Sequence, residues 1–313
     1  MHIEVRNAGG KPKYYLAQSY RQDGKVKKAR VYLGVGLSQT ELGKRKKQAE
    51  TRLTQIVSIG RRISDPYETI LSSKELAQLK ALETKAEIKV AHLSEDDWRK
   101  FTEAFTYDTN AIEGSTIGAG EVADILRKGK WPDKPKGDIS ETYGVAKAIE
   151  FIRNTKDHIS LPLILELHRI VFENSKPFAG KFRPPGVEVV VADQFGQVVH
   201  RGAPSGHIRS LLSELVKWYE KNRKRYPPLV LAAVVHNQFE NIHPFQDGNG
   251  RVGRLLLNSI LLKHKLPPLN ITLKSRKEYY AALQAYEKRH DLRPTIKLML
   301  KEYRGLSRTL MKR

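Results

Sequence analysis

The chain contains no cysteine, which removes disulfides, zinc–thiolate centres and a cysteine nucleophile from its chemistry. That absence fits a reducing compartment, and a cytoplasmic protein is expected. Long hydrophobic runs are missing as well. The longest apolar stretches, Leu229–Val235 and Leu255–Leu257, fall far short of the ~18 residues needed to span a bilayer. The opening MHIEVRNAGGKPKYY lacks the apolar run of roughly 7–15 residues that a secretory leader requires. The expectation is a soluble chain with no membrane association. Acidic residues are scarce beside basic ones: 34 Asp and Glu against 56 Lys and Arg, a formal charge of +22. Residues 1–64 hold 15 of those bases and 4 of the acids, so this fifth of the chain carries +11. A basic segment attracts polyanions, nucleic acid among them.

What is present is otherwise ordinary for a globular protein, with 40% apolar and 29% charged residues. A length of 313 residues suggests about two units at ~150 residues each. Residues 3–36 read as strands: Tyr14-Tyr15-Leu16 and Val31-Tyr32-Leu33 are β-rich, and Asp23-Gly24 is a hairpin signal. Ser38 with Glu41 forms a capping box and opens a charged helix to about Ile59. Asp65-Pro66 breaks the chain. A second helix is expected over Lys74–Val90, and a third from Ser94, which has Asp97 three residues on.

Further helices are expected near Gly120–Lys128, Ser140–Arg153, Pro162–Glu173, Ser205–Lys221, Leu229–Asn241, Arg251–Lys265 and Arg276–Glu287. Val187–His200 breaks the pattern: two valine-rich runs flank Asp193-Gln194-Phe195-Gly196 and read as a β-hairpin. The fold class is therefore mainly α, a helical core with one hairpin, preceded by a small basic β unit. The expected division is a β unit over 1–37, a helical linker over 38–92 and a main domain over 93–313.

The densest chemistry lies in His243-Pro244-Phe245-Gln246-Asp247-Gly248-Asn249-Gly250-Arg251-Val252-Gly253-Arg254, between two apolar helices. Gly248 and Gly250 let the chain turn with backbone N–H groups free. Those groups open a helix, whose N-terminus favours anions. Arg251 and Arg254 are three apart and share a helix face, so both can point at one polyphosphate. Asp247 offers a hard oxygen to Mg²⁺, which binds through one or two carboxylates plus substrate phosphates. His243 can take a proton from an incoming hydroxyl. Together these are the parts for transfer to a phosphorus centre. A calcium loop counted from Asp247 would need Gly and Glu where Val252 and Asn258 stand. No G-x-x-x-x-G-K-[ST] loop occurs either.

The twelve residues resemble the signature of the Fic family, and every defining position matches. Leu167-His168, Ala179-Gly180-Lys181-Phe182-Arg183 and the hairpin that follows extend the resemblance upstream, as do Ser275–Leu283 and Asp291–Pro294 downstream. It covers about residues 95–300, with a catalytic core over about 162–300. The resemblance implies a protein adenylyltransferase that moves AMP from ATP to a Ser, Thr or Tyr hydroxyl of a target protein, itself included. In that family His243 would be the base and Phe245 the anchor of the loop. Asp247 would hold Mg²⁺ or Mn²⁺. Gly248, Asn249 and Gly250 would form the anion hole, and Arg251 and Arg254 would meet the β- and γ-phosphates. Tyr279 and Tyr280 would lie near the base. Glu287 stands where such relatives often carry Asn, which opens the choice to another nucleotide. Gly250 sets the chain apart from relatives that carry Lys there and resemble kinases.

Thr109-Asn110-Ala111-Ile112-Glu113-Gly114 fits the family's inhibitory motif, on a helix of about residues 95–114. Glu113 would then pair with Arg254 and occupy the γ-phosphate position. In some relatives the same Glu directs a water that removes AMP, so a hydrolase direction stays open. The strand Val187–Val191, with Val187, Val189 and Val190, would dock an extended target segment by β-augmentation. Self-association is also expected from the family. A reading from another class makes the chain a nucleic-acid-associated regulator acting through its basic N-terminal unit.

Overall fold

The computed structural model describes residues 1–8, 11–22, 25–62, 71–84, 90–192 and 198–310. The chain divides into two compact units, Met1–Asp65 and Pro66–Arg313. In the first, strands β1 (His2–Ala8), β2 (Lys11–Gln22) and β3 (Lys25–Val35) form an antiparallel sheet in sequence order. Helix α1 (Gln39–Arg62) follows. The Ser38 capping box is present: Glu41 N donates to Ser38 Oγ at 3.3 Å, and Ser38 N donates to Glu41 Oε2 at 3.2 Å. Ala49, Leu53 and Val57 of α1 close over Leu16, Val31 and Leu33 of the sheet in one buried cluster. The first unit thus continues past residue 37, with the apolar stripe of α1 packed on the sheet.

The second unit is helical. Helix α2 (Ser73–Thr84) ends short of the expected Val90, which instead begins a 3-10 turn, Val90–His92. Helix α3 (Glu95–Ile112) starts on a full capping box between Ser94 and Asp97. Helices α4 (Ala119–Lys128), α5 (Lys136–Asn154) and α6 (Leu161–Phe172) follow. A short hairpin, β4 (Val190–Ala192) with β5 (Val198–Arg201), precedes α7 (Ile208–Asn222). Then come α8 (Pro228–Ile242), α9 (Asn249–Lys263), α10 (Arg276–Arg289) and α11 (Arg293–Leu310).

Every residue of α8 from Leu229 to Ile242 is buried, as is nearly all of α9. A helix apolar or enclosed on all sides belongs at the centre of its unit. These two antiparallel helices are that centre, and the loop between them carries the site. Helix α11 is not among the helices expected from the sequence. Pro294 lies in the first turn, where its missing N–H costs nothing. The Asp23-Gly24 turn, the Asp65-Pro66 break and the Asp193–Gly196 hairpin tip lie outside the described residues. Among the described residues, no helix is long and apolar enough to cross a membrane.

Candidate active site

Helix α8 ends because His243 adopts a left-handed conformation, φ 52° and ψ 61°, unusual for a residue with a side chain. Its backbone is held on both sides. His243 N donates to Phe239 O at 2.9 Å, and Arg183 Nε donates to His243 O at 2.8 Å. Arg183 is buried and also donates to the carbonyls of Val187 and Ala203, tying the loop to the base of the hairpin.

The His243 ring lies with Nδ1 3.2 Å from the carbonyl of Glu240. A carbonyl only accepts, so Nδ1 carries the proton and Nε2 keeps its lone pair. Burial, with His200 nearby, pushes the His243 pKa down to about 4. The ring is therefore neutral at pH 7 and able to accept a proton.

Past His243 the loop folds onto its own side chains. Phe245 is fully buried and stacks on His168, the ring centroids 3.8 Å apart. Asn249 accepts from Phe245 N at 2.8 Å and donates to Phe245 O at 3.0 Å. Its side chain is thus spent on the loop, and only its backbone is available to a ligand. His168 accepts from Gly180 N at 2.9 Å, so its Nε2–H donates to Asp247 O at 3.2 Å. Burial lowers the His168 pKa to about 4, which fixes that neutral tautomer. Gly248 has φ 79°, and a Cβ there would lie 2.2 Å from Phe172 Cζ. No other residue fits.

Helix α9 then starts beneath a carboxylate from α3. Gly114, with φ 95°, ends α3 and leaves Glu113 at its cap. Arg254 is 1% exposed and is wrapped by that helix end. Its Nη2 donates to Glu113 Oε1 at 2.7 Å and to Thr109 O at 3.0 Å, while Nε donates to Thr109 Oγ1 at 2.7 Å. A helix C-terminus is the favourable place for a cation. A Cβ on Gly250 would lie 2.1 Å from Glu113 Oε1, so the carboxylate rests directly on the glycine of the proposed anion cradle.

Arg251 does not join Arg254. It pairs with Glu141, its guanidinium 4.5 Å from the Phe172 ring centroid, and approaches Asp247 Oδ1 at 3.4 Å. The two arginines leave α9 toward different acids, because the i, i+3 spacing fixes a face but not the direction of a long side chain. Asp247 is half-exposed, with Lys176 Nζ 3.0 Å from Oδ2. Burial would raise its pKa, but Arg251 and Lys176 outweigh this and hold the carboxyl below its ordinary range.

A cavity of about 720 Å³ joins these groups, within the size range of small-molecule sites. Its walls include Glu113, His243, Asp247, Gly248 to Gly250, Tyr279 and Tyr280, with Val191, His200 and Glu287 from the hairpin and α10. Tyr279 is buried, its hydroxyl between His236 Nε2 at 3.0 Å and Arg254 Nη1 at 3.3 Å, so it braces Arg254. Glu287 lies 2.9 Å from His200 Nδ1, joining α10 to the hairpin.

Sequence reasoning missed Glu240, whose carboxyl lies against Gly253 and lines the same cavity. Burial raises its pKa to about 8. It sits in the polar second half of α8, beside His236, Asn237, Gln238 and Asn241, and carried no motif.

The hairpin is shorter than expected. Val190 pairs with Arg201 and Val191 with His200, but Val187 lies in a turn after Pro184-Pro185-Gly186. Val187 N donates to Pro184 O at 3.1 Å and its carbonyl accepts from Arg183 at 2.7 Å. Both backbone groups are spent, which removes Val187 from any docking strand. Val189 O accepts from Gly202 N at 3.0 Å, and Val190 is 44% exposed.

The fold and loop place a glycine-rich helix start beside a neutral imidazole in a helical core, with the Glu113 carboxylate resting on it. Comparison with known proteins finds likenesses of one kind. Residues 158–261 match the Fic/DOC family. It is 36% identical over 205 residues to protein adenylyltransferase fic-1 of Caenorhabditis briggsae, covering 63% of this chain and 39% of that one. Protein adenylyltransferase Fic of Nematostella vectensis is 31% identical over 201 residues, covering 62% and 45%. The chain thus spans less than half the length of these relatives. The structure of Fic-1 from Caenorhabditis elegans superimposes with a TM-score of 0.64 at 26% identity, covering 87% and 86%. A Fic family protein from Desulfovibrio desulfuricans gives 0.67 at 25% identity, covering 80% and 77%.

Proposed function

We propose that the chain is an autoinhibited protein adenylyltransferase of the cytoplasm, moving AMP from ATP to a hydroxyl of a target protein. The observation that carries the reading is the position of Glu113. Its carboxylate lies on Gly250 and holds Arg254, where a terminal phosphate of ATP would otherwise lie. A carboxylate that stands in for phosphate is both a marker of the anion site and a barrier to it.

With Glu113 displaced, the cradle and Arg254 receive the triphosphate, and Tyr280 flanks the base. His243 Nε2 takes the proton of the target hydroxyl. The freed oxygen bonds to the α-phosphorus, the bond from that phosphorus to the bridging oxygen breaks, and pyrophosphate leaves with the electron pair. The divalent cation of such a reaction has a fitting place at Asp247. Among the described residues no three His, Asp or Glu side chains are placed to hold a metal ion by themselves, and Mg²⁺ commonly uses one carboxylate plus substrate phosphates. Held there, Mg²⁺ would offset the charge of the leaving pyrophosphate. Arg251 keeps the Asp247 carboxylate ionised for it. The hairpin edge at Val189 and Val190 would align the target segment by strand pairing.

The test is label transfer from α-³²P-ATP with Mg²⁺. Glu113→Gly should label itself or an added acceptor strongly, the unaltered chain weakly, and Glu113→Gly/His243→Ala at least ~100-fold less, as expected for loss of a general base. Label from γ-³²P-ATP instead would replace the reading with a kinase.

A further inference from the structure

Helix α1 covers one face of the N-terminal sheet, the side of Tyr14, Leu16, Tyr20, Val31 and Leu33. Side chains alternate along a strand, so Glu4, Arg6, Tyr15, Lys28, Arg30 and Tyr32 occupy the opposite face. The register sets Glu4, Tyr15 and Tyr32 in one row across the three strands. The Tyr15 and Tyr32 ring centroids are 5.3 Å apart, Arg6 lies 5.6 Å over Tyr15, and Tyr32 is 54% exposed.

The charges around this pair are unbalanced. Lys28, Arg6 and Arg30 approach the single carboxylate of Glu4 at 2.7, 2.8 and 3.1 Å. Three cations on one anion leave two positive charges beside the rings, within a segment of net charge +11. A cross-strand tyrosine pair by itself stabilises a sheet. A half-exposed pair ringed by surplus cations is also a stacking platform with charge to track a phosphate backbone. Bases in a duplex hide their faces, so the partner that fits is unpaired.

We propose that this face of the sheet binds single-stranded nucleic acid, with Tyr15 and Tyr32 stacking on bases and Arg6, Lys28 and Arg30 meeting phosphates. The inference is independent of the transfer chemistry in the second unit.

The experiment is fluorescence anisotropy of the full chain with labelled polythymidine and polyuridine strands and a duplex of equal length, across a salt series. Single strands should bind more tightly than duplex. The two strands show whether DNA or RNA is preferred, and either preference supports the proposal. Tyr32→Ala should weaken binding by ~5-fold or more, since a stacked base is worth ~1–3 kcal/mol, while Tyr32→Phe retains it. Arg30→Gln should flatten the salt slope by about 0.7. An unchanged melting temperature shows that both exposed positions leave the fold intact. Absence of binding at low salt, equal binding of duplex, or an unchanged affinity in Tyr32→Ala overturns the proposal. Preference for polyglutamate over both strands also overturns it, and assigns the face to an acidic protein.

Discussion

Replacing Glu113 with glycine should both destabilise the chain and make it respond to ATP. Arg254 donates to four acceptors: Glu113, the hydroxyl and carbonyl of Thr109, and the hydroxyl of Tyr279. Only Glu113 among them is charged. Removing one partner of a buried ion pair costs ~3–5 kcal/mol. The Glu113 side chain is 28% exposed and the three neutral acceptors remain, so solvent screening lowers the expected cost to about 2 kcal/mol. In a unit of this size, 1 kcal/mol moves the melting temperature by ~2–4 °C. The variant should therefore melt ~4–8 °C lower than the unaltered chain.

ATP should reverse the deficit. At free ATP one hundred times its Kd for the open site, binding stabilises the variant by ~2.7 kcal/mol, or ~5–10 °C. In the unaltered chain ATP must first displace Glu113. A cost of about 2 kcal/mol weakens its apparent affinity ~30-fold. The same ATP concentration then contributes below ~1 kcal/mol, a shift of ~2–3 °C. Differential scanning fluorimetry with and without Mg-ATP measures all four states. Equal ATP shifts in the two proteins would refute the idea that Glu113 occupies the anion position. A variant that melts lower yet ignores ATP would reduce the contact to a structural pair.

Gly248→Ala should lower the urea midpoint by ~2–4 kcal/mol equivalents at unchanged m-value, from overpacking against Phe172 and a strained positive φ; an unchanged midpoint would show that the loop can yield. Glu240→Gln should alter the pH dependence of stability. The folded Glu240 pKa is raised to about 8 by burial, so the stability tied to its neutral form is present below pH ~4.5 and lost as pH rises toward 8. The variant should gain on the unaltered chain across that window and plateau above it, by denaturation at several pH values; parallel curves would contradict the assignment. Val189→Pro should abolish labelling of a target protein while leaving the ATP-induced thermal shift in place, and equal loss of both would remove strand docking from the mechanism.

How much of this was legible in the sequence depended on whether the partners were neighbours in the chain. The Ser38 and Ser94 capping boxes span three residues each, and both are present. The loop His243–Arg254 is closed by its own members, Asn249 on both backbone groups of Phe245, so a contiguous string could announce it. Arg183, His168 and Glu141 reach the same loop from 60, 79 and 110 residues away, and no spacing rule joins them to it. Arg251 shows the limit most clearly. Helical periodicity placed it with Arg254, yet Glu141 and the Phe172 ring draw it elsewhere. Glu240 and His236 lie in α8 outside the loop motif, and the packing of α9 against α8 brings both up to Gly253.

Gly250 links what was legible with what was not. The sequence marks it as a residue that frees a backbone N–H for an anion. The structure adds that the space its missing side chain leaves is already taken by Glu113 Oε1, at 2.1 Å from where a Cβ would stand. The same missing atom that would admit a phosphate admits the Glu113 carboxylate, which under the proposed function competes with it. A side chain at this position would therefore remove both at once, restraint and ligand together. Only a change at Glu113 can separate them.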